Sequence, residues 1–281
     1  MPMDSIESGL AAYSPELGAS YPLEPSDIDA LQRDGFVLLK NVFPPELLRA
    51  YRTPLADIVA RESRDLPPIE ERDAYGKAFA QIMNIWTRHA HVRDFILNRK
   101  TAEIATRLLG CRGVRLWHDQ ALYKEAGGGA TPWHCDQFYW PLSSDASITA
   151  WIPLQDTSIE HGALQFAAGS HTRDYGRDHS IQAQGDDDIS AAIAADGLEV
   201  VARDFTLGDV SFHLGRTFHH ANANPGAADR AAMTMIYIDQ DMRVAQPRNA
   251  YQEFDQKTWA PGCAVGEPIA SAINPVLFSL D

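Results

Sequence analysis

The stretch TPWHCDQFYW, residues 131–140, places a histidine, a cysteine and an aspartate side by side. In an extended strand the side chains alternate, so His134 and Asp136 point to one face and Cys135 points to the other. An imidazole and a carboxylate on one face are two thirds of the two-histidine, one-carboxylate set that holds non-haem Fe(II) with open coordination positions. We therefore interpret Cys135 as a spacer, with a nucleophile or a thiolate ligand as the alternative.

The segment GDVSFHLGRTFHHANANPGAADRAAMTMIYI contains the candidates for a third metal ligand, which are His213, His219 and His220. Enough chain separates Asp136 from this segment for several strands to lie between them. Arg230 follows the last of these histidines by roughly ten residues, and from there its guanidinium can reach the metal cavity and bind a carboxylate through two hydrogen bonds. Spacing alone leaves the choice among the three histidines open.

Composition limits the class of protein. The chain has 281 residues, of which 45% are hydrophobic, so it can bury a sizeable core. Its net charge of -14 would repel a nucleic-acid backbone. The apolar runs are shorter than the roughly 20 residues of a membrane span, and the N-terminal segment lacks the pattern of a signal peptide. We therefore predict a soluble, cytoplasmic protein without nucleic-acid or membrane partners.

Cysteine usage argues against a structural role for sulfur. Cys111, Cys135 and Cys263 are odd in number, lie far apart and form no CxxC pair. This pattern is not that of a disulfide framework or a thiolate zinc site.

The first third of the chain has the pattern of a helical buttress. Ser26 and Asp29 can form a capping box for a helix that ends at Gly35, after which FVLLK has the pattern of a short buried strand. Two further helices are predicted over residues of about 45–64 and about 90–109.

From Val114 onward the pattern changes to short strands separated by Gly, Pro and Asp. VRLWHDQALYK, SITAWIPL, ALQFAAG, LEVVARDF, DVSFHL and AAMTMIYI each have the length of a strand. Such spacing favours a sandwich or barrel over repeated βαβ units. The acidic stretch QGDDDISAAIAADG is interpreted as a solvated loop with a short helix near a cavity mouth.

Three segments in this order resemble the phytanoyl-CoA dioxygenase family of Fe(II)- and 2-oxoglutarate-dependent oxygenases, across about residues 30–245. They are PWHCDQFYWPL, TAWIPLQDTSIEHGALQFAAGSH and GDVSFHLGRTFHHANANPGAADRAAMT. The resemblance implies a mainly β fold with flanking helices, built on a double-stranded β-helix, the cupin-like jelly roll.

The predicted domain plan is an N-terminal tail, residues 1–22, followed by one dioxygenase domain, residues 23–281. Within that domain we expect three parts. They are the helical buttress at about 26–110, the β-helix core at about 111–245 and a C-terminal extension at 246–281.

The resemblance also implies a ligand set. His134, Asp136 and the histidine of an H-x-x-x-x-N pattern would hold the iron, and His219 matches that pattern with Asn224. His220 would then point away from the metal by alternation. His213 is better placed as a neighbouring strand residue that supports a ligand.

The 2-oxoglutarate site follows from the same resemblance. Arg230 matches the residue that binds the distal carboxylate, and Trp151 matches a position that packs against this cosubstrate. Thr149 shares the face of Trp151 by alternation, and Gln120 matches another contact position. Of the three coordination positions that the protein leaves open on the iron, two would then bind the 2-oxo acid and one would bind dioxygen.

The substrate is constrained less tightly. If the strand continues past Asp136, Phe138 and Trp140 also face the cavity, which favours a small hydrophobic or ring-bearing metabolite. Hydroxylation, desaturation, cyclisation and epimerisation all remain open, as does a role in secondary metabolism, and the oligomeric state stays undetermined.

Two other functions compete with the oxygenase. The first is a non-catalytic metal-binding β-barrel that binds a small molecule, against which Arg230 and Trp151 argue because a binder needs no 2-oxo acid site. The second is a halogenase of the same fold. Asp136 occupies the coordination position that chloride would need, and it argues against this second alternative.

Overall fold

The computed structural model describes residues 13–176, 180, 181 and 183–280, and its strands form two antiparallel sheets. In chain order the strands are β1 (Phe36–Leu39), β2 (Ala80–Met83), β3 (Gly113–Lys124), β4 (Thr131–His134), β5 (Ser147–Pro153), β6 (Leu164–Ala167), β7 (Val200–Ala202), β8 (Val210–Leu214), β9 (His219–Ala221), β10 (Arg230–Asp239) and β11 (Val276–Ser279).

The α-helices lie mostly before β3. They are α1 (Ser14–Gly18), α2 (Pro25–Asp34), α3 (Pro45–Glu62), α4 (Ala74–Ala78), α5 (Arg93–Ile96), α6 (Arg99–Leu109), α7 (Ala183–Ala195) and α8 (Ala250–Trp259). No helix within the described residues is both long enough and apolar enough to cross a bilayer.

The larger sheet has the strand order β1-β8-β5-β10-β3-β11, with β2 also paired to β3, and the smaller sheet has the order β4-β9-β6-β7. Every strand pair is antiparallel. Side chains from both sheets meet between them, and the stacked rings of Phe36 on β1 and Phe166 on β6 lie 4.5 Å apart. This is the jelly-roll arrangement that the family resemblance implies, so the predicted fold class is confirmed.

Helices α2, α3 and α6 cover the outer face of the larger sheet. Leu47, Leu55 and Ile58 of α3 belong to the same buried cluster as Ile148 and Met233 of the sheet. Strand β5 is therefore buried on both faces over its whole length. Burial on both faces explains why SITAWIPL is a nearly continuous apolar run rather than an alternating one.

Two predicted helix boundaries are wrong. Helix α2 begins at Pro25, and its capping box is formed by Glu24 and Asp27 instead of Ser26 and Asp29. Proline favours the first helical position, which moves the cap to the residue before it. The helix expected over about 90–109 is interrupted at Asn98, whose side chain accepts a hydrogen bond from the Thr101 amide at 2.8 Å and starts α6.

The acidic stretch is also different from its prediction as a solvated loop with a short helix. It forms α7, whose Ile189 and Ile193 are buried against Phe138 and Phe218. Asp186 accepts a hydrogen bond from the Trp133 amide at 2.5 Å. The apolar residues between the acidic ones explain why the segment packs on the domain.

Both predicted terminal segments contact the domain. Within the predicted tail, residues 1–12 lie outside the described part, whereas Leu17 of α1 belongs to the buried cluster under the larger sheet. Within the predicted C-terminal extension, β11 pairs with β3.

Candidate active site

Two histidines and one aspartate converge between the sheets. His134 ends β4 and lies directly opposite His219 in the antiparallel pair with β9, with ring centroids 4.1 Å apart. Asp136 follows β4, and its Oδ1 lies 3.8 Å from His134 Nε2 and 3.7 Å from His219 Nε2. One ligand atom from each residue therefore falls in a single group within 4.8 Å.

Hydrogen bonds to the backbone set the tautomer of both imidazoles. His134 Nδ1 lies 2.7 Å from the carbonyl oxygen of Pro132, and His219 Nδ1 lies 3.0 Å from that of Thr217. A carbonyl only accepts, so each Nδ1 carries the proton and each Nε2 presents a lone pair. Burial also lowers the pKa of His134 and His219, which keeps both rings neutral as metal binding requires.

The second carboxylate oxygen of Asp136 is held by neighbours. Thr149 Oγ1 donates to Oδ2 at 2.8 Å, and His213 Nε2 lies 3.2 Å from the same atom. Burial by itself would raise the pKa of Asp136, but the adjacent His219 and the hydrogen bond from His213 hold it below its usual value. Oδ1 is thereby left to bind a metal through one oxygen.

His220 and Cys135 point away from this group. The His220 ring packs on Trp133 at 4.1 Å, on the other face of β9. Cys135 is buried in the cluster that also contains Trp133 and Phe138. Both placements agree with alternation along β4 and β9.

The expectation that both Phe138 and Trp140 face the cavity assumes a strand that continues past Asp136. The chain instead turns into a 3-10 helix at Asp136–Tyr139, so alternation ends there. Trp140 lines the cavity, but Phe138 packs in the cluster around Cys135 and is not among the described residues that line it.

A buried arginine lies in the same cavity. Arg230 is 3% exposed, and among the described residues its one acceptor is the Leu122 carbonyl, 3.3 Å from one terminal nitrogen. Its Nε has no hydrogen-bond partner there, and its guanidinium carbon lies 5.5 Å from the centre of the Trp151 ring. Burial lowers its pKa to about 10, so the side chain stays charged. A buried cation without a counterion fits a carboxylate ligand.

The other predicted cosubstrate contacts also line the cavity. Trp151 and Thr149 lie on β5, and Gln120 lies on β3. The Gln120 amide nitrogen is 3.5 Å from His118 Nδ1. The hydroxyl of Thr149 donates to Asp136, so Thr149 orients a candidate metal ligand.

Sequence reasoning missed Lys124, which lies opposite Arg230 in the pairing of β3 with β10. Lys124 is fully buried, and its Nζ donates to Thr131 Oγ1 at 3.1 Å and to the Gly129 carbonyl at 2.5 Å. Burial and the adjacent Arg230 lower its pKa to about 7. A lysine at the end of an apolar strand is the signal that could have indicated it.

Asn224 holds the loop before β10 to the end of β3. Its side-chain nitrogen donates to the carbonyls of Lys124, Glu125 and Ala228 at 2.8–3.2 Å, and its oxygen accepts from the Gly226 amide. The asparagine of the H-x-x-x-x-N pattern thus holds together the end of β3, which carries Lys124, and the start of β10, which carries Arg230.

The cavity has a volume of about 530 Å³ and combines this polar group with an aromatic wall. Its lining includes Arg230 and the three candidate ligands, together with the rings of Tyr75, Trp140 and Trp259. Two neutral nitrogens, one carboxylate oxygen and no fourth protein donor among the described residues fit a metal with open positions. A jelly roll with such a site and a buried arginine defines the class of non-haem iron oxygenases that use a 2-oxo acid.

Comparison with known proteins supports this class. The family model described as phytanoyl-CoA dioxygenase (PhyH) matches residues 31–232. The ectoine dioxygenase of Bordetella parapertussis is 26% identical over 249 residues, covering 80% of this chain and 79% of that enzyme.

Solved structures show the same fold. The non-haem, alpha-ketoglutarate-dependent carbocyclase SnoK from nogalamycin biosynthesis has a TM-score of 0.74 at 24% identity, covering 92% of this chain and 99% of that one. The epimerase SnoN, in complex with Fe3+, alpha-ketoglutarate and nogalamycin RO, has a TM-score of 0.72 at 23% identity, covering 90% and 98%.

Because the family match spans most of the chain, the chain belongs to the phytanoyl-CoA dioxygenase (PhyH) family. Membership confirms the predicted enzyme class, a dioxygenase with iron and 2-oxoglutarate as cofactors.

Proposed function

We propose that this chain oxidises a C–H bond of a small, ring-bearing metabolite, using iron held by His134, Asp136 and His219. The products open to this chemistry are those of hydroxylation, desaturation, cyclisation or epimerisation. The observation that carries the proposal is one cavity that contains two neutral imidazole nitrogens, a free carboxylate oxygen and a buried Arg230 that has no acidic partner among the described residues.

Bound iron and 2-oxoglutarate would supply the oxidising chemistry with dioxygen. Arg230 would bind the distal carboxylate of the cosubstrate, while Trp151 packs beside the guanidinium. Thr131 accepts a hydrogen bond from Lys124, so its own hydroxyl proton is free to point into the cavity toward that carboxylate. Thr149 and His213 would hold Asp136 in the orientation that presents Oδ1.

The aromatic wall supports the substrate class. Trp140, Tyr75 and Trp259 offer flat apolar surfaces to a ring. The proteins with similar folds include enzymes named for nogalamycin biosynthesis, and a curated relative is named for ectoine, which favours a secondary or specialised metabolite. The negative net charge gives no support for a nucleic-acid partner, and a cytoplasmic location remains a prediction.

One experiment tests the proposal. The protein is loaded with Fe(II) without oxygen, 2-oxoglutarate is added, and the visible absorption of the chelated 2-oxo acid is recorded. Oxygen is then admitted with candidate ring-bearing metabolites, and succinate is measured together with the mass of the product. We expect the band and substrate-coupled succinate, whereas their absence with every candidate would contradict the proposal.

The competing function, a metal-binding barrel without catalysis, makes a different prediction. Such a protein has no use for Arg230, so 2-oxoglutarate would neither bind nor shift the metal spectrum. Binding of 2-oxoglutarate that is lost in Arg230→Leu separates the two functions.

A further inference from the structure

The wall of the cavity formed by α8 contains groups that the iron and 2-oxoglutarate sites do not use. Tyr251, Phe254, Asp255 and Trp259 all line the cavity, and their spacing places them on one side of the helix. Tyr251 and Phe254 are 46% and 61% exposed, so their rings form the rim of the opening. We refer to these four residues as the α8 wall.

Asp255 is a buried acid that has no counterion in the part of the chain that the structure describes. It is 8% exposed, and no lysine or arginine among the described residues pairs with it. Burial raises its pKa to about 7, and the indole N–H of Trp259, one helical turn further on, offsets only part of this effect. A carboxyl in such surroundings is costly to ionise unless a cation reaches it.

His118 lies beside the α8 wall and presents one ring nitrogen that has no partner among the described residues. It is 1% exposed, its ring centroid is 5.4 Å from that of Trp259, and its Nε2 has no hydrogen-bond partner among the described residues. Gln120 lies 3.5 Å from Nδ1 and can donate to it, which makes Nε2–H the free donor. Burial lowers the pKa of His118 to about 3, so the ring is neutral.

Aromatic rings line the cavity together with these two groups. His118 contacts Trp140 at 6.2 Å, and Tyr251 packs on Tyr139 at 5.3 Å. Ring faces attract cations, and the attraction is strongest where water is excluded. Among the described residues that line the cavity, Arg230 is the one lysine or arginine. The proposed function assigns it to the distal carboxylate of 2-oxoglutarate.

We propose that the substrate carries a protonated amine, which Asp255 binds between the rings of the α8 wall while His118 Nε2 donates to an oxygen of the same molecule. This inference rests on the proposed function, because it assigns the substrate of that site. An amine fits better than an alcohol, since a positive charge allows Asp255 to ionise inside the protein and also gains from the ring faces.

The test compares two probes of nearly equal shape by isothermal titration calorimetry at neutral pH: benzylamine, which is protonated there, and benzyl alcohol. We expect the wild-type protein to bind benzylamine at least about tenfold more tightly than benzyl alcohol. Asp255→Asn keeps the shape of the side chain and should reduce this ratio to about one. Asp255→Ser provides a second variant with the same expected loss, and thermal unfolding checks that each variant is folded.

Asp73→Asn is the matched control. Asp73 also lines the cavity, but it is exposed, and its side chain caps α4 by accepting from the Gly76 amide at 2.7 Å, which an asparagine oxygen can also do. This variant loses the same charge and should keep most of the tenfold preference. A wild-type ratio near one, or a preference that survives in both Asp255 variants, would overturn the proposal.

The titration needs no turnover, so it is independent of the test of catalysis. A protein that prefers the amine but produces no succinate would contradict the proposed function and leave the amine site standing. A protein that turns over 2-oxoglutarate but does not distinguish the probes would contradict the amine site alone.

Discussion

At the scale of single residues, proton positions on three imidazoles decide what the site can bind. His134 and His219 each direct Nδ1 to a carbonyl two residues earlier in the chain, which leaves both Nε2 atoms as donors of electron pairs. His213 contacts the oxygen of Asp136 that does not face this group, so it supports a ligand instead of being one. Spacing in the sequence could not separate these roles, because they depend on which atom each ring presents.

The neighbouring histidines on β9 provide a matched pair of variants. His219→Ala should lower iron binding and 2-oxoglutarate turnover by more than about 100-fold. Loss of a residue that only orients a ligand costs about 10- to 100-fold, and this variant removes a proposed ligand itself. His220→Ala should keep both, since its ring packs on Trp133. Iron content and succinate formation measure the difference, and the reverse pattern would move the third ligand to His220.

Arg230 should determine the affinity for 2-oxoglutarate. Arg230→Leu removes one partner of a buried pair, which costs about 3–5 kcal/mol, so we expect the dissociation constant to rise at least about 100-fold. Arg230→Lys should recover part of the loss, because lysine restores the charge but not the two parallel hydrogen bonds. Titration followed by the visible band measures both variants, and unchanged affinity in Arg230→Leu would exclude this role.

Cys135 should be dispensable for the metal. Its side chain lies in the apolar cluster around Trp133, so Cys135→Ser and Cys135→Ala should both bind iron and show an unchanged band with 2-oxoglutarate. The serine variant should be the less stable of the two, since a hydroxyl placed among apolar groups costs about 1–3 kcal/mol. Loss of iron from a folded serine variant would instead show that sulfur is a ligand.

At the scale of elements, α8 is attached to the segment that carries the candidate metal ligand Asp136. The carbonyl of Phe138, two residues after Asp136, accepts from Gln252 at 2.9 Å and from Asn249 at 3.4 Å. The start of α8 is therefore fixed relative to the 3-10 helix that begins at Asp136. Phe138 was expected to contact substrate, and its backbone instead positions the helix that lines the cavity.

The buried carboxyl on this helix predicts a pH dependence of stability. The pKa of Asp255 in the folded protein, about 7, lies above its ordinary value of 3.8. Its contribution to stability is therefore fully present below about pH 4 and is lost as the pH rises through about 7. Asp255→Asn removes this loss. The free energy of unfolding of the variant should therefore match that of the wild type near pH 4 and exceed it by about 2–4 kcal/mol near pH 8.

Thermal unfolding across this pH range measures the difference for Asp255→Asn. Asp73→Asn, which removes an exposed carboxylate from the same cavity, controls for the change of net charge. A constant difference between Asp255→Asn and wild type at all pH values would show that Asp255 ionises without cost.

At the scale of the whole molecule, metal and cosubstrate should stabilise the fold, because their ligands come from both sheets. His134 and His219 lie on the smaller sheet and Arg230 on the larger one. With Mn(II) and 2-oxoglutarate at about 100 times their dissociation constants, each should contribute about 2.7 kcal/mol. We expect the unfolding temperature to rise by about 5–10 °C and to fall back when a chelator removes the metal.

His134→Ala is the control for this effect and should show no shift with Mn(II). An equal shift in this variant would mean that Mn(II) binds elsewhere. Scanning calorimetry or dye-based melting can measure the unfolding temperatures of the wild type and the variant, with both proteins at the same concentration.

Much of the fold was predictable because its signals are local. Apolar runs of strand length separated by turn residues predicted a sandwich or barrel, and the family resemblance implied the jelly roll. The end of α6 at Leu109 agrees with the predicted terminator Gly110. The boundaries that were wrong depended on competition between neighbouring caps, as at Pro25 and Asn98, where sequence offers several choices of similar energy.

The sequence by itself determined the chemistry available to this protein: a histidine and an aspartate on alternating positions, a later segment with three more histidines, and an arginine about ten residues after them. Only the tertiary structure decided that His134 and His219 lie opposite each other, that Lys124 lies beside Arg230, and that α8 brings Asp255 to the same cavity. Side-chain type and alternation are local properties of the chain. Strand register and the docking of a helix more than 100 residues beyond the first ligand depend on long-range packing, which no local pattern encodes.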